Sequence, residues 1–314
     1  MINYDSKNWI AAIRHFKSSY VIRRTVRMCF GMGLYAAAIS TADYFLRNHP
    51  ELAQWEMQIA IEPSVFGLLG IFLSLLLVFR TNTSYDRWWD GRKQWGALIN
   101  QTRGLAILLH GMLGKDSENR RFFAEAISSY CLALSEHLRG KEDHSLIAHY
   151  SGEYIDDLKH YTHVPNRIVR DLYERSQSLY RDGLIDGYQI SMLQPGFQAL
   201  LDIQGACERI RATPIPFAHN FFIKLFILAY CVLLPLVLVP IVGFYSILLT
   251  MFVSYALIGL EYISVEIEEP FGMDCNDLPT HNLAVKIEHN VHEILEVSRS
   301  DREEEIQKAY IVIH

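Results

Sequence analysis

Positive charge is in short supply in this 314-residue chain: 29 Lys and Arg stand against 35 Asp and Glu, a formal net charge of −6. A nucleic-acid binder needs a basic face to neutralise phosphates, and the balance argues against that class. Charged residues of both signs make up only 20% of the chain against 50% hydrophobic. This excludes a disordered or collagenous chain and is greasy for a cytosolic enzyme. Paired cysteines are lacking too. Cys29, Cys131, Cys207, Cys231 and Cys275 are odd in number, scattered and without a C-x-x-C spacing, so they read as reduced core thiols rather than a disulfide frame. There is no phosphate-binding G-x-x-x-x-G-K-[ST], no G-x-G-x-x-G following a strand and no G-x-S-x-G elbow, and the residues therefore indicate neither catalysis nor a required cofactor.

The shortage of charge is concentrated. Leu225 to Leu260 contains no Asp, Glu, Lys, Arg or His, and as one helix it would reach about 54 Å. A hydrocarbon core is roughly 30 Å thick, so two crossings are expected, with the turn marked by Pro235, Pro240 and Gly243. Pro63 to Phe79 is a third span and Met28 to Leu46, interrupted by Asp43, a fourth and weaker one. Lys and Arg cluster before the first span (Lys7, Arg14, Lys17, Arg23, Arg24, Arg27) and after the second (Arg80, Arg87, Arg92, Lys93). The positive-inside rule then puts both termini in the cytoplasm of a bacterial inner-membrane protein. The first apolar stretch begins too late for a cleavable signal peptide. The expected organisation is a basic segment 1–27, a transmembrane hairpin 28–79, a helical cytoplasmic domain 80–220, a second hairpin 221–263 and a C-terminal segment 264–314. Between the hairpins, Tyr85 to Leu113, Asn119 to Leu138, Val164 to Tyr180 and Gly187 to Ala212 carry apolar residues at three-and-four spacing, which predicts helices throughout.

Three patches stand out. Arg80 to Gly96 is dense in Arg and Trp and reads either as an interfacial anchor or as a hydrogen-bonded collar of Arg80, Asn82, Tyr85, Asp86 and Arg87 between subunits. Thr213-Pro-Ile-Pro216 ends a helix, because two prolines lack N–H groups, and puts Ile210 and Thr213 at a corner. Glu266, Glu268, Glu269, Asp274 and Asp277 form an acidic cluster that suits either a solvated loop or a hard-cation site, although its spacing is not that of an EF-hand. His289 and His292 lie three apart but lack the H-E-x-x-H frame of zinc sites.

Taken in order, F-R-T-N-x-x-Y-D-R-W-W-x-x-R-x-x-W-G (Phe79 to Gly96), R-x-T-P-I-P (Arg211 to Pro216) and E-P-F-G-x-D-x-N-D-L-P (Glu269 to Pro279) resemble the bestrophin family in its bacterial form. The resemblance implies an all-α membrane protein, four transmembrane helices per subunit plus a helical cytoplasmic domain, assembled as a homopentamer around one axial pore. It places the pore neck and gate at Ser64, Leu68 and Phe72, an i, i+4, i+8 stripe, and the lower aperture at Thr213, with Ile210 one turn away. The acidic loop corresponds to the calcium clasp of animal bestrophins, with Asp274 and Asp277 matching the two side-chain ligands. Glu269 and Glu266 stand where the animal form has Asn and Gln, and bacterial members are thought not to depend on Ca²⁺. Monovalent cations, Na⁺ or K⁺, are the expected ions, since Glu208, Glu266, Glu268 and Glu269 lie near the cytoplasmic end of the membrane domain. Chloride is the alternative, since animal members pass it and Arg209 and Arg211 flank the corner. A non-conducting membrane scaffold is the alternative from another class.

Overall fold

The computed structural model describes residues 20–49, 62–140, 161–274 and 276–298. The basic residues Lys7, Arg14 and Lys17, most of the tail from 299 onward, and Cys275 lie outside them. Among the described residues the chain is eight helices and no strand: α1 Tyr20–Asn48, α2 Pro63–Leu113, α3 Ser117–Leu138, α4 Val164–Arg181, α5 Gly187–Ala212, α6 Phe217–Val242, α7 Tyr245–Glu268 and α8 Thr280–Leu295. They sort into two units, one ending at Arg87 and resuming over Ile215–Glu268, the other comprising Trp88–Pro214 with the chain from Glu269.

The span expected at Pro63–Phe79 and the helix expected at Tyr85–Leu113 are one helix of 51 residues, about 76 Å long. The reason is local: nothing between them is a proline, and the run opens on Pro63 at its first position, where a missing N–H costs nothing. The helix stops before Gly114, whose φ of +54° is the left-handed conformation that ends many helices. Its buried positions Phe66, Leu73, Leu77, Arg80, Ser84, Gly91, Trp95, Leu98, Thr102, Leu105 and Leu109 recur at helical spacing. At 100° per residue they all fall within about 60° of one line along the rod.

The second hairpin also differs from expectation. Pro235 and Pro240 are both inside α6, and the turn falls at Gly243, φ +56°. Prolines survive inside a membrane helix where neighbours satisfy loosened backbone groups, and the Tyr35 hydroxyl donates to the Val232 carbonyl at 3.2 Å. Three helices, α2, α6 and α7, are long and apolar enough to cross a membrane. α1 is not among them. Its Asp43 is paired with Arg47 at 2.9 Å.

In the apolar unit, α1 packs on α7 and α6, and α6 on α7. Lipid tails are as apolar as leucine, so small residues and side-chain hydrogen bonds hold such helices together. Ser40 and Ser246 hydroxyls meet at 3.0 Å, and so do those of Thr81 and Ser264. Each is worth roughly 0.6–2 kcal/mol. A Cβ on Gly33 would come within 2.7 Å of the Met251 sulfur, and one on Gly70 within 2.7 Å of the Tyr230 hydroxyl. Only 22% of the most apolar window of α2 and of α7 is buried by the chain itself. The uncovered apolar surface needs an apolar medium or further copies of the chain.

The other unit has an ordinary core. Trp95, Phe123, Tyr130, Phe197 and Leu200 are fully or almost fully buried among α2, α3, α4, α5 and α8. A side chain of this size contributes about 1.5–3 kcal/mol when removed from water. The Tyr130 hydroxyl donates to the Leu200 carbonyl at 2.7 Å. Asp116 caps α3, and Asp186 with Gln189 forms a capping box at α5. Cys29, Cys131, Cys207 and Cys231 are free and buried, as expected of core thiols. Burial pushes the Cys207 thiol up to about 12, so it is protonated and unreactive.

Candidate functional site

The outward face of α2 is the first element of the site. Ser64, Leu68 and Phe72 are all exposed, Leu68 to 66%. Measured from buried Phe66, they stand about 160°, 200° and 240° round the helix. The same helix that packs through Phe66, Leu73 and Leu77 therefore presents this stripe away from its own neighbours. Phe72 touches Phe226 edge-on with ring centroids 6.3 Å apart, and the Ser64 hydroxyl donates to Glu62 at 3.3 Å.

Arg80 sits on the buried line of α2 and has no exposed surface. Its Nη2 donates to Glu268 Oε2 at 2.6 Å, its Nη1 donates to the Ser84 hydroxyl at 3.0 Å, and its Nε lies 3.7 Å from Glu261 Oε2. Glu268 is shared further: its Oε1 accepts from the Ile215 backbone N–H at 2.9 Å, and its carbonyl accepts from Arg87 Nε at 3.0 Å. The Thr-Pro-Ile-Pro corner and the end of α7 are thus tied to α2 through one carboxylate. A bare guanidinium at this depth would be costly, and the two glutamates offset it. Of the predicted collar, Arg80 and Arg87 are brought together on Glu268 of the same chain, while Asn82, Tyr85 and Asp86 remain exposed. Motif reading missed Glu261 and the role of Glu268. The signal was there: an arginine closing an apolar run requires an anion, and Glu261 is the first charge after Lys224.

The acidic loop is closed on itself. Asp277 Oδ2 accepts from the Asp274 N–H at 2.6 Å, and the carbonyls of Glu269, Pro270 and Asp274 accept from Gly272, Leu278 and Asp277. A Cβ on Gly272 would come within 2.5 Å of that Asp277 oxygen. Trp88 Nε1 donates to the Asn276 carbonyl at 3.1 Å. Burial lowers the pKa of Arg139, and the neighbouring charge of Asp277, then Glu136, acts to raise it. Asp274 and Asp277 are therefore brought together, but Asp277 is held by a backbone N–H in the field of a guanidinium and Asp274 is exposed. Calcium wants six to eight convergent oxygens. The donor set is committed to the loop and does not fit the ion as folded, so no step is assigned to calcium. Glu269 is exposed, whereas Glu266, at the end of α7, is buried.

At the lower corner, Thr213 is exposed and its hydroxyl donates to the Arg209 carbonyl at 2.6 Å. Ile210 is half-buried against the core. Arg209 and Arg211 are exposed. His292 is buried, its Nδ1 2.9 Å from the Glu288 carbonyl within α8, which is a helical contact.

The family profile described as Bacterial/Fungal Bestrophin protein matches residues 1–293. A voltage-dependent anion channel-forming protein of Nostoc sp. is 33% identical over 259 residues, 80% of this chain and 84% of that protein. One from Mesorhizobium japonicum is 31% identical over 277 residues, 88% of this chain and 86% of that protein. Among solved structures, a bacterial bestrophin homolog from Klebsiella pneumoniae has the same fold, with a TM-score of 0.79 at 24% identity over 88% of this chain and all of that one.

Proposed function

The chain belongs to the bacterial and fungal bestrophin family of ion channels, and from that premise we propose that five copies form a pore for monovalent ions across the inner membrane, both termini cytoplasmic. The observation that carries the proposal is the uncovered stripe Ser64, Leu68 and Phe72 on the face of α2 opposite its buried line. One chain cannot enclose an aqueous path with a single such face. A ring of copies can, and Leu68 and Phe72 then form a narrow apolar neck that blocks ions by dewetting. Thr213, exposed where Ile210 is packed, is the better candidate for the lower aperture.

An apolar neck carries no sign, so the sign of the ion comes from charged residues along the path. Two of the carboxylates behind the cation expectation, Glu266 and Glu268, are buried, and Glu268 is neutralised by Arg80. The exposed charges at the corner are Arg209 and Arg211. Together with the names of the Nostoc and Mesorhizobium relatives, this favours anions, chloride first. A net charge of −6 and exposed Glu269 favour the second reading, Na⁺ or K⁺. Reconstitution in planar bilayers tests both. Unitary currents are expected from protein that is pentameric by native mass, with reversal moving toward the chloride equilibrium potential in a salt gradient. Reversal toward the cation potential selects the second reading, and pentamers silent to every ion leave a non-conducting scaffold.

A further inference from the structure

Away from the neck and the acidic loop, three side chains far apart in sequence converge within one unit. His137 comes from the last turn of α3, His163 immediately precedes α4, and Glu208 lies near the end of α5. His137 Nε2 is 3.1 Å and His163 Nε2 is 3.0 Å from the same atom, Glu208 Oε1, and the two imidazole rings are 4.4 Å apart. The three donor atoms lie within 4.8 Å of one another. A tetrahedral ion bound at about 2.05 Å spaces its ligand atoms by about 3.3 Å, close to these separations.

Ordinary hydrogen bonding accounts poorly for the cluster. Gln204 Nε2 also donates to Glu208 Oε1 at 3.1 Å, while contacting Asn166 Oδ1 at 2.8 Å. Three nitrogens crowd one oxygen that has two lone pairs, so at least one imidazole is surplus as a donor. Turned to its other tautomer, it aims a lone pair at the oxygen, an arrangement that a cation between them would stabilise. Burial, and then the neighbouring His163, hold the His137 pKa below its ordinary value, which favours the neutral ring that metals require.

We propose that His137, His163 and Glu208 form a binding site for a borderline divalent metal of the zinc class. Two imidazoles and one carboxylate suit Zn²⁺ and its neighbours and are too few hard oxygens for Ca²⁺ or Mg²⁺. The side chains are 28%, 33% and 33% exposed, so an ion can enter and water can complete the fourth position. Gln204 orients the carboxylate from behind. Occupancy ties the end of α5 to the ends of two other helices, reinforcing the Arg211 Nη1 bond to the His137 carbonyl at 2.6 Å. Glu208 is five residues before Thr213. On the reading of Thr213 as the lower aperture, the metal therefore stiffens that aperture.

The test is Zn(II) titration of the full chain, stripped with chelator and held in detergent, followed by calorimetry. One ion per chain is expected, undisplaced by millimolar Ca²⁺ or Mg²⁺. His137→Ala and His163→Ala should each weaken binding at least tenfold, and Glu208→Gln, which keeps a hydrogen-bonding side chain, should weaken it too. Absence of saturable binding, or undiminished binding in the His137→Ala/His163→Ala double variant, overturns the site. If the variants misfold, anomalous scattering at the zinc edge from native protein decides: a peak bonded to both Nε2 atoms supports the site and its absence refutes it. Zinc bound at this site in pentamers that pass no current would refute the channel and leave the metal site standing.

Discussion

Replacing Arg80 with Met removes the one cation of a buried, three-charge cluster while nearly preserving volume. Arg80 is wholly buried and the side chains of Glu268 and Glu261 are 7% and 6% exposed, so neither carboxylate can turn to water without moving its helix. With about 4 Å between charge centres and an effective dielectric near 20, the Arg80–Glu268 attraction alone is about 4 kcal/mol. Leaving one member of a buried pair alone costs about 3–5 kcal/mol. The loss corresponds to a fall of about 10 °C in melting temperature for a unit of this size, measured by fluorescence-detected unfolding in detergent. Glu268→Gln keeps an acceptor for the Ile215 N–H and should cost less, about 2 kcal/mol. In a double-mutant cycle, Arg80→Met with Glu268→Met should be milder than the sum of the two single changes by about 2 kcal/mol, because the pair is removed together. An Arg80→Met protein that melts within 2 °C of the native one, or additive costs in the cycle, would refute this account of the cluster.

Leu68→Ala should widen and wet the neck and raise open-channel current, and unchanged conductance and open probability in both Leu68→Ala and Phe72→Ala would remove the neck assignment. Gly196→Ala inserts a methyl into the side chain of Leu105 and should destabilise by about 1–3 kcal/mol, read as a lower melting temperature. Asp186→Ala breaks the capping box of α5 at about 1 kcal/mol, whereas Asp186→Ser should recover most of the loss.

The helical composition and the motifs that identify the family were legible because charge-free runs and three-and-four spacing are local properties. The continuity of α2 was hidden by a change of solvent: apolar Phe79 is followed by polar Thr81 to Asp86, which resembles a boundary, although backbone hydrogen bonding is indifferent to what surrounds it. Pro235 and Pro240 misled in the opposite sense, since a proline breaks a helix in water more readily than one braced by neighbours. The exposed stripe was visible in spacing alone, but its exposure was not, because Leu68 and Leu73 are the same residue type and only packing distinguishes them. Long-range pairs were least accessible. Arg80 finds Glu268 across 188 positions and His163 finds Glu208 across 45, and a single sequence carries no record of such meetings.

The unbroken α2 gives the chain a phase. Its buried line keeps one azimuth from Phe66 to Leu109, so everything along the rod is geared to everything else. Adding one residue after Asp86 would turn the later half by about 100° and slide it 1.5 Å, swinging Trp95 and Leu98 off their line while Phe66 and Leu73 stayed on theirs. Seven added residues would restore the azimuth to within about 20°, at the price of a two-turn translation. Tolerance to insertion in this helix should therefore be periodic rather than graded, as it is for a gear that meshes only at whole teeth.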